Sequence, residues 1–206
     1  MSETRLYLIT PNQFDLDEFS ISLKEALDGG DVASVQLRMK DSSDEDIIKA
    51  AKVLMPICHS SDVAFIINDS VEIAKKVGAD GVHIGQEDLR YKEAREILGS
   101  NHIIGVTCHD SKHLAMSAGE QGADYVAFGA FYPTTTKITT RVATPELLNW
   151  WQDLFEIPCV AIGGINAENA ASIADAGADF LAICSGVWDY PKGPRAAVKK
   201  LNQLIK

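Results

Sequence analysis

The tripeptide Gly-Ala-Asp occurs three times, each time leading into a short apolar run: Gly78-Ala79-Asp80 before Gly81-Val82, Gly122-Ala123-Asp124 before Tyr125-Val126, and Gly177-Ala178-Asp179 before Phe180-Leu181. The copies lie 44 and 55 residues apart. Each joins a glycine of the type that ends helices to a β-rich run, so each interval holds two strand-helix units. Gly29-Gly30-Asp31-Val32 is a degenerate fourth copy. Around these markers eight apolar runs are expected as strands, at 6–9, 34–37, 64–67, 81–84, 103–106, 125–128, 159–162 and 180–183. Between them helical spacing appears at 16–27, 44–58, 71–77, 92–98, 112–120, 145–155, 167–176 and 194–205, with Asp44, Ser70, Thr144 and Asn166 as cap-type residues at helix starts.

Continuously apolar strands separated by helices indicate a parallel sheet with both faces covered. A repeat of two units, with about 26 residues per unit over 206 residues, predicts an α/β chain forming one (β/α)8 TIM barrel, with residues 1–206 as a single domain. No Gly-x-Gly-x-x-Gly follows the first strand to support a doubly wound sheet instead.

The 19 basic against 29 acidic residues give a formal charge of −10, which repels a phosphate backbone or an anionic membrane. Nucleic acid and membrane are therefore not expected partners. The opening Met1-Ser2-Glu3-Thr4-Arg5 is not a basic stretch leading into an apolar run, and no later apolar run reaches the ~18 residues of a spanning helix. A cytoplasmic location is expected, with Cys58, Cys108, Cys159 and Cys184 as reduced thiols.

Active sites in this barrel collect where the strands end and their following loops converge. Gln36, Arg38 and Lys40 alternate at the end of the second strand, so period two sends them to one side. An Arg fork beside a Lys point charge suits a diphosphate. Asn68 and Asp69 follow the third strand and Asp88 the fourth, with Gln86 and Glu87 beside it. Two hard carboxylates near a phosphate-binding pair suit Mg²⁺, which takes one or two carboxylates along with phosphate oxygens and water. Thr107 follows the fifth strand, and Thr134-Thr135-Thr136-Lys137 makes a hydroxyl-rich loop ending in a cation after the sixth. Gly163-Gly164 and Ser185-Gly186 let backbone approach an anion after the seventh and eighth. His83, inside an apolar strand, reads as a core histidine, and Cys108 and His109 point to opposite faces and do not form a dyad.

Taken together, Gln36-Leu37-Arg38-Met39-Lys40, Asn68-Asp69, Gly85-Gln86-Glu87-Asp88, Thr134-Thr135-Thr136-Lys137, Gly163-Gly164-Ile165 and Ser185 resemble the thiamine-phosphate synthase (thiamine-phosphate pyrophosphorylase) family along essentially the whole chain. The resemblance implies a transferase that couples a pyrimidine diphosphate to a thiazole phosphate, or its carboxylated form, and releases diphosphate. Carried over, Gln36, Arg38, Lys40, Asn68 and Lys137 would bind the pyrimidine diphosphate, and Thr107, at a position usually Ser, would contact its diphosphate. Asp69 and Asp88 would hold Mg²⁺, while Thr134, Thr135, Thr136, Gly164, Cys184 and Ser185 would hold the thiazole phosphate. Lys137, Arg38 and Thr107 would carry catalysis. The stretch Ile138-Thr139-Thr140-Arg141-Val142-Ala143-Thr144 departs from the family's Pro-x-Gly pattern, and Cys184 replaces a commoner small or aliphatic residue. A thiazole tautomerase, which has no use for the diphosphate and metal set, and a non-catalytic phosphate-binding barrel that retains the mouth are the alternatives. The expected partners are small molecules, and a homo-oligomer stays open.

Overall fold

A computed structural model describes residues 4–134 and 142–206. Eight parallel strands, β1 (Arg5–Ile9), β2 (Ser34–Leu37), β3 (Ala64–Asn68), β4 (Gly81–Ile84), β5 (Ile103–His109), β6 (Tyr125–Gly129), β7 (Cys159–Ile162) and β8 (Phe180–Ile183), close into a barrel in sequence order. Parallel pairing of β1 with β8 seals it, with Arg5 opposite Phe180 and Leu8 opposite Ile183. Helices α1 (Leu16–Leu27), α2 (Asp44–His59), α3 (Val71–Val77), α4 (Tyr91–Leu98), α5 (Lys112–Gln121), α6 (Pro145–Leu154), α7 (Ala170–Asp175), α8 (Ser185–Trp188) and α9 (Pro194–Leu204) are described around it. The fold is the (β/α)8 barrel that the repeat predicts.

Two cores divide the apolar residues by strand parity. Outward-facing residues such as Leu6, Leu8, Val35, Phe65 and Ile67 pack under the helices, and Trp151 of α6 is fully buried among them. Tyr7, Ile9, Tyr125, Ala127, Val160 and Ala182 point inward and form a smaller core inside the barrel. A strand buried on both faces is apolar on both parities, so its sequence run is continuous and gives no sign of which side is which.

The Gly-Ala-Asp repeat acts at the opposite end from the strand C-termini. Asp80 Oδ2 accepts the backbone N–H of Phe65 at 2.6 Å, Asp124 Oδ2 that of Ile104 at 2.7 Å, and Asp179 Oδ2 that of Cys159 at 2.8 Å. Each aspartate thus pairs a backbone donor in the first or second residue of the strand before its own. A second group from a neighbouring helix grips the same oxygen: Arg95 Nη2 on Asp124 at 2.6 Å, and Gln152 Nε2 on Asp179 at 2.7 Å. In the degenerate copy Asp31 pairs with the guanidinium of Arg5 through two bonds of 2.7 Å. The glycines Gly78 and Gly122 end α3 and α5 at φ of +70° and +95°, where a side chain is strained.

Several ends shift by one residue and β5 runs on to His109, three residues past expectation, and three features of the helices also differ. Ser43, not Asp44, caps α2, its side chain accepting from the Asp46 N–H. After β7 the chain makes a turn first, with Asn166 Oδ1 accepting the N–H of Glu168, and α7 begins only at Ala170. The short α8 directly after β8 was not anticipated, because Ser185-Gly186 reads as loop. Among the described residues no helix is long and apolar enough to cross a membrane.

Because Asp124 serves both a strand donor and Arg95, Asp124→Ala should cost about 1–3 kcal/mol of stability by leaving a part-buried donor unpaired. Urea unfolding should show this as a lowered midpoint at unchanged slope, and an unchanged midpoint would contradict the role assigned to the repeat.

Candidate active site

A cavity of about 600 Å³ opens at the C-terminal ends of the strands. Its walls include Gln36, Arg38, Lys40, Asn68, Asp69, Asp88, Thr107, Thr134, Gly164, Cys184 and Ser185, so every candidate residue that the structure describes reaches this one space. Thr135, Thr136 and Lys137 lie outside the described residues. The groups arrive from the ends of seven strands, β2 to β8, which closure of the barrel brings around one mouth.

On one wall, β2 delivers Gln36, Arg38 and Lys40 by period-two alternation, with Gln36 buried and Lys40 exposed at the rim. Thr10 Oγ1 accepts the Arg38 N–H at 2.9 Å, tying the strand end to the loop after β1. Beside them, Asp69 occupies φ +64° directly after β3, a turn that redirects the chain into the Ser70 cap of α3. Lys40 Nζ lies 3.2 Å from Asp69 Oδ2. Asp88 belongs to the loop after β4, where its Oδ2 accepts the Gly85 N–H at 2.7 Å. Burial pushes the Asp88 carboxyl above the usual range, and the charge and hydrogen bonding of neighbouring Asp69 push it further. The Gly85 N–H and the Lys40 charge pull the other way.

Such a pair is electrostatically incomplete, since two carboxylates facing one another are relieved by a cation. Among the described residues no group of three or more His, Cys, Asp or Glu side chains is assembled for a metal. The protein therefore offers two hard oxygen groups and leaves the remaining positions to ligand oxygens and water, which is how Mg²⁺ is commonly held. The donor set fits this ion.

The far wall comes from β6 to β8. Gly163 and Gly164 follow β7 at φ of +106° and +64°. A Cβ on Gly163 would stand 2.4 Å from Ala130, and one on Gly164 2.5 Å from the Pro133 carbonyl oxygen, so both glycines admit the loop after β6. Cys184 is half-buried with its thiol pushed up to about 11, chiefly by burial.

Several lining residues were set aside or passed over in the sequence reading. His83 is buried, as a core histidine should be, yet it faces the cavity with its two ring nitrogens bonded to Tyr125 and Thr107. His109 follows a register shift in the β5–β6 pairing, sits at φ +53° and also lines the cavity. Cys108 points the other way into the outer core, and burial pushes its thiol up to about 12. Period-two counting from Gly81 through His83 to Gly85 is the signal that places His83 inside. Trp150 is covered by Lys112, whose Nζ lies 4.4 Å from the ring centre, far from this chemistry.

Since Asp69 raises Asp88, Asp69→Asn should bring the Asp88 carboxyl down while burial keeps it above the ordinary range; carbon-detected NMR titration reads this, and an unmoved Asp88 would contradict the pairing.

Residues 6–187 match the family described as thiamine monophosphate synthase. The thiamine-phosphate synthase of Rhodospirillum centenum is 58% identical over 206 residues, covering all of both chains. That of Hyphomonas neptunium is 51% identical, over 98% of this chain and 94% of the relative. The solved thiamine phosphate pyrophosphorylase of Pyrococcus furiosus superposes with a TM-score of 0.86 at 33% identity, over 98% of this chain and 95% of that one. With both sequence and fold matched along the full length, the chain belongs to the thiamine monophosphate synthase family.

Proposed function

We propose that this protein couples 4-amino-5-hydroxymethyl-2-methylpyrimidine diphosphate to 4-methyl-5-(2-hydroxyethyl)thiazole phosphate, giving thiamine phosphate and diphosphate, or to its carboxylated form, giving the same products with loss of CO2. The observation that carries this reading is the meeting of Arg38, Lys40, Asp69 and Asp88 in one cavity of a chain from this family. A tautomerase has no use for that combination. The partners are these small molecules, the location the cytoplasm.

In this reading Arg38 and Lys40 grip the diphosphate of the pyrimidine substrate, and Lys137 adds a third positive charge from the loop after β6. Asp69 and Asp88 hold Mg²⁺, which when bound neutralises charge on the diphosphate. Gln36 and Asn68 orient the pyrimidine, and Thr107 donates to the diphosphate. Thr134, Thr135, Thr136, Gly164, Cys184 and Ser185 hold the thiazole phosphate across the cavity.

The bond from the pyrimidine methylene to oxygen then breaks, its electron pair leaving with the diphosphate. The electron-rich aminopyrimidine bears the resulting positive charge until the thiazole nitrogen supplies a new pair to the same carbon. The protein contributes position and charge, which act most strongly in a site that water has left. No protein nucleophile is required: Cys108 is buried away from the cavity with its thiol held protonated.

Mixing the two heterocyclic substrates with Mg²⁺ should release diphosphate in step with thiamine phosphate. Asp69→Ala and Asp88→Ala should each lower the rate by about 100-fold or more, on the scale of losing an electrostatic anchor of the transition state. Cys108→Ala should leave the rate within about twofold, since it changes only packing remote from the cavity. Isomerisation of the thiazole without diphosphate release would identify a tautomerase, and binding without turnover a passive barrel.

A further inference from the structure

Beneath the cavity the barrel interior is crossed by a row of polar side chains whose middle members, Tyr7, Tyr125 and His83, the chemistry above leaves unused. Gln36 Nε2 donates to Tyr7 Oη at 3.1 Å, and Tyr7 Oη lies 2.9 Å from Tyr125 Oη. Tyr125 Oη lies 2.9 Å from His83 Nδ1, and His83 Nε2 lies 2.7 Å from Thr107 Oγ1. Five strands, β2, β1, β6, β4 and β5, contribute one residue each. Both ends of the row, Gln36 and Thr107, line the cavity, while Tyr7 and Tyr125 lie below it.

Packing makes this row rigid. A Cβ on Gly105 would fall 1.8 Å from Cζ of Tyr125, so the phenol ring occupies the volume a side chain on β5 would take. The His83 ring stacks on it at 5.6 Å and 16°, and the Tyr7 ring meets it edge-on at 5.9 Å. Burial pushes both phenols well above their ordinary range, so each keeps its single O–H proton.

Counting protons sets a direction. Tyr7 accepts from Gln36, so its own O–H goes to Tyr125, its other side-chain partner among the described residues. Tyr125 then gives its proton to His83 Nδ1, which must be the bare nitrogen. The ring proton of neutral His83 is left on Nε2 and goes to Thr107 Oγ1. With its oxygen already accepting, the Thr107 hydroxyl has its own proton left to offer to the cavity.

We infer that Tyr7, Tyr125 and His83 are positioning residues, forming a one-way hydrogen-bond chain that locks His83 in its Nε2–H tautomer and presents the Thr107 hydroxyl as a donor toward the pyrimidine diphosphate. The chain also ties Thr107 to Gln36 on the opposite wall, so the two ends of that substrate's site are held at a fixed separation. The role in turnover rests on the function proposed above; the tautomer does not.

Long-range proton-nitrogen NMR on the full chain without substrate reads the tautomer, the His83 signals being identified by their loss in His83→Gln. Wild type should show a single Nε2–H form, and Tyr125→Phe, which keeps the ring and removes one hydroxyl, should show a mixture. An Nδ1–H form in wild type would mean that the chain runs the other way, with Thr107 donating to His83, and would overturn the inference. So would a tautomer unchanged in both Tyr125→Phe and Tyr7→Phe.

In turnover, Tyr125→Phe should lower kcat/KM for the pyrimidine diphosphate by about tenfold, the scale of one buried hydrogen bond, with KM for the thiazole phosphate unmoved. Most of that loss should disappear when Thr107 is already alanine. Equal losses in the Thr107 and Thr107→Ala backgrounds would make Tyr125 a packing residue only. Should wild type release no diphosphate while its tautomer is Nε2–H, the functional reading fails and the chain stands.

Discussion

Closure of eight parallel strands into a ring is the constraint from which the rest follows. An open parallel sheet would leave two edges of unpaired backbone; pairing β1 with β8 removes them and forces every strand to be buried on both faces. Charged and polar side chains are then excluded from the strand middles unless they are paired, and they gather at the two ends of the barrel. The ends are used differently. At the N-terminal end the aspartates of the repeat close backbone donors against Arg95 and Gln152, and at the C-terminal end charged groups are concentrated around one cavity.

Between these ends the interior is less apolar than the strand sequences suggest. Tyr7, Gln36, His83 and Tyr125 are all buried there, and each has a hydrogen-bond partner. A buried polar network is costly if any member is unpaired and rigid if all are paired. Gly105 supplies the space that lets this one assemble, because the Tyr125 ring lies where its side chain would be. In this member of the thiamine monophosphate synthase family the candidate site thus has a polar, hydrogen-bonded floor beneath a rim carrying Arg38, Lys40, Asp69 and Asp88.

Much of this was legible from the residues. The runs at β2, β4, β7 and β8 have the bounds seen in the structure, and β4 between Asp80 and Gly85 and β7 between Pro158 and Gly163 are bordered on both sides by residues that disfavour strand. The rim groups were legible for a related reason: a charge directly after a buried strand has no place to go but the mouth. What was hidden shares one cause. In a strand covered on both sides, inward and outward residues look alike, so Tyr7 and Tyr125 read as parts of apolar runs and His83 as a core histidine. Their meeting depends on closure of the barrel, which sets the non-adjacent strands β1, β4 and β6 around one interior, and no local pattern encodes it. Asn166 misled for a local reason, since a cap-type side chain can equally close a turn ahead of the helix.

The central claim is that a single pyrophosphoryl group and one divalent ion occupy the space between β2, β3 and β4. A crystal structure with thiamine phosphate, diphosphate and Mn²⁺ tests it most directly. The account predicts one anomalous scattering peak touching both Asp69 and Asp88, with diphosphate oxygens on the same ion and within reach of Arg38 and Lys40. A metal held away from the two aspartates, or diphosphate bound on another face of the barrel, would contradict it.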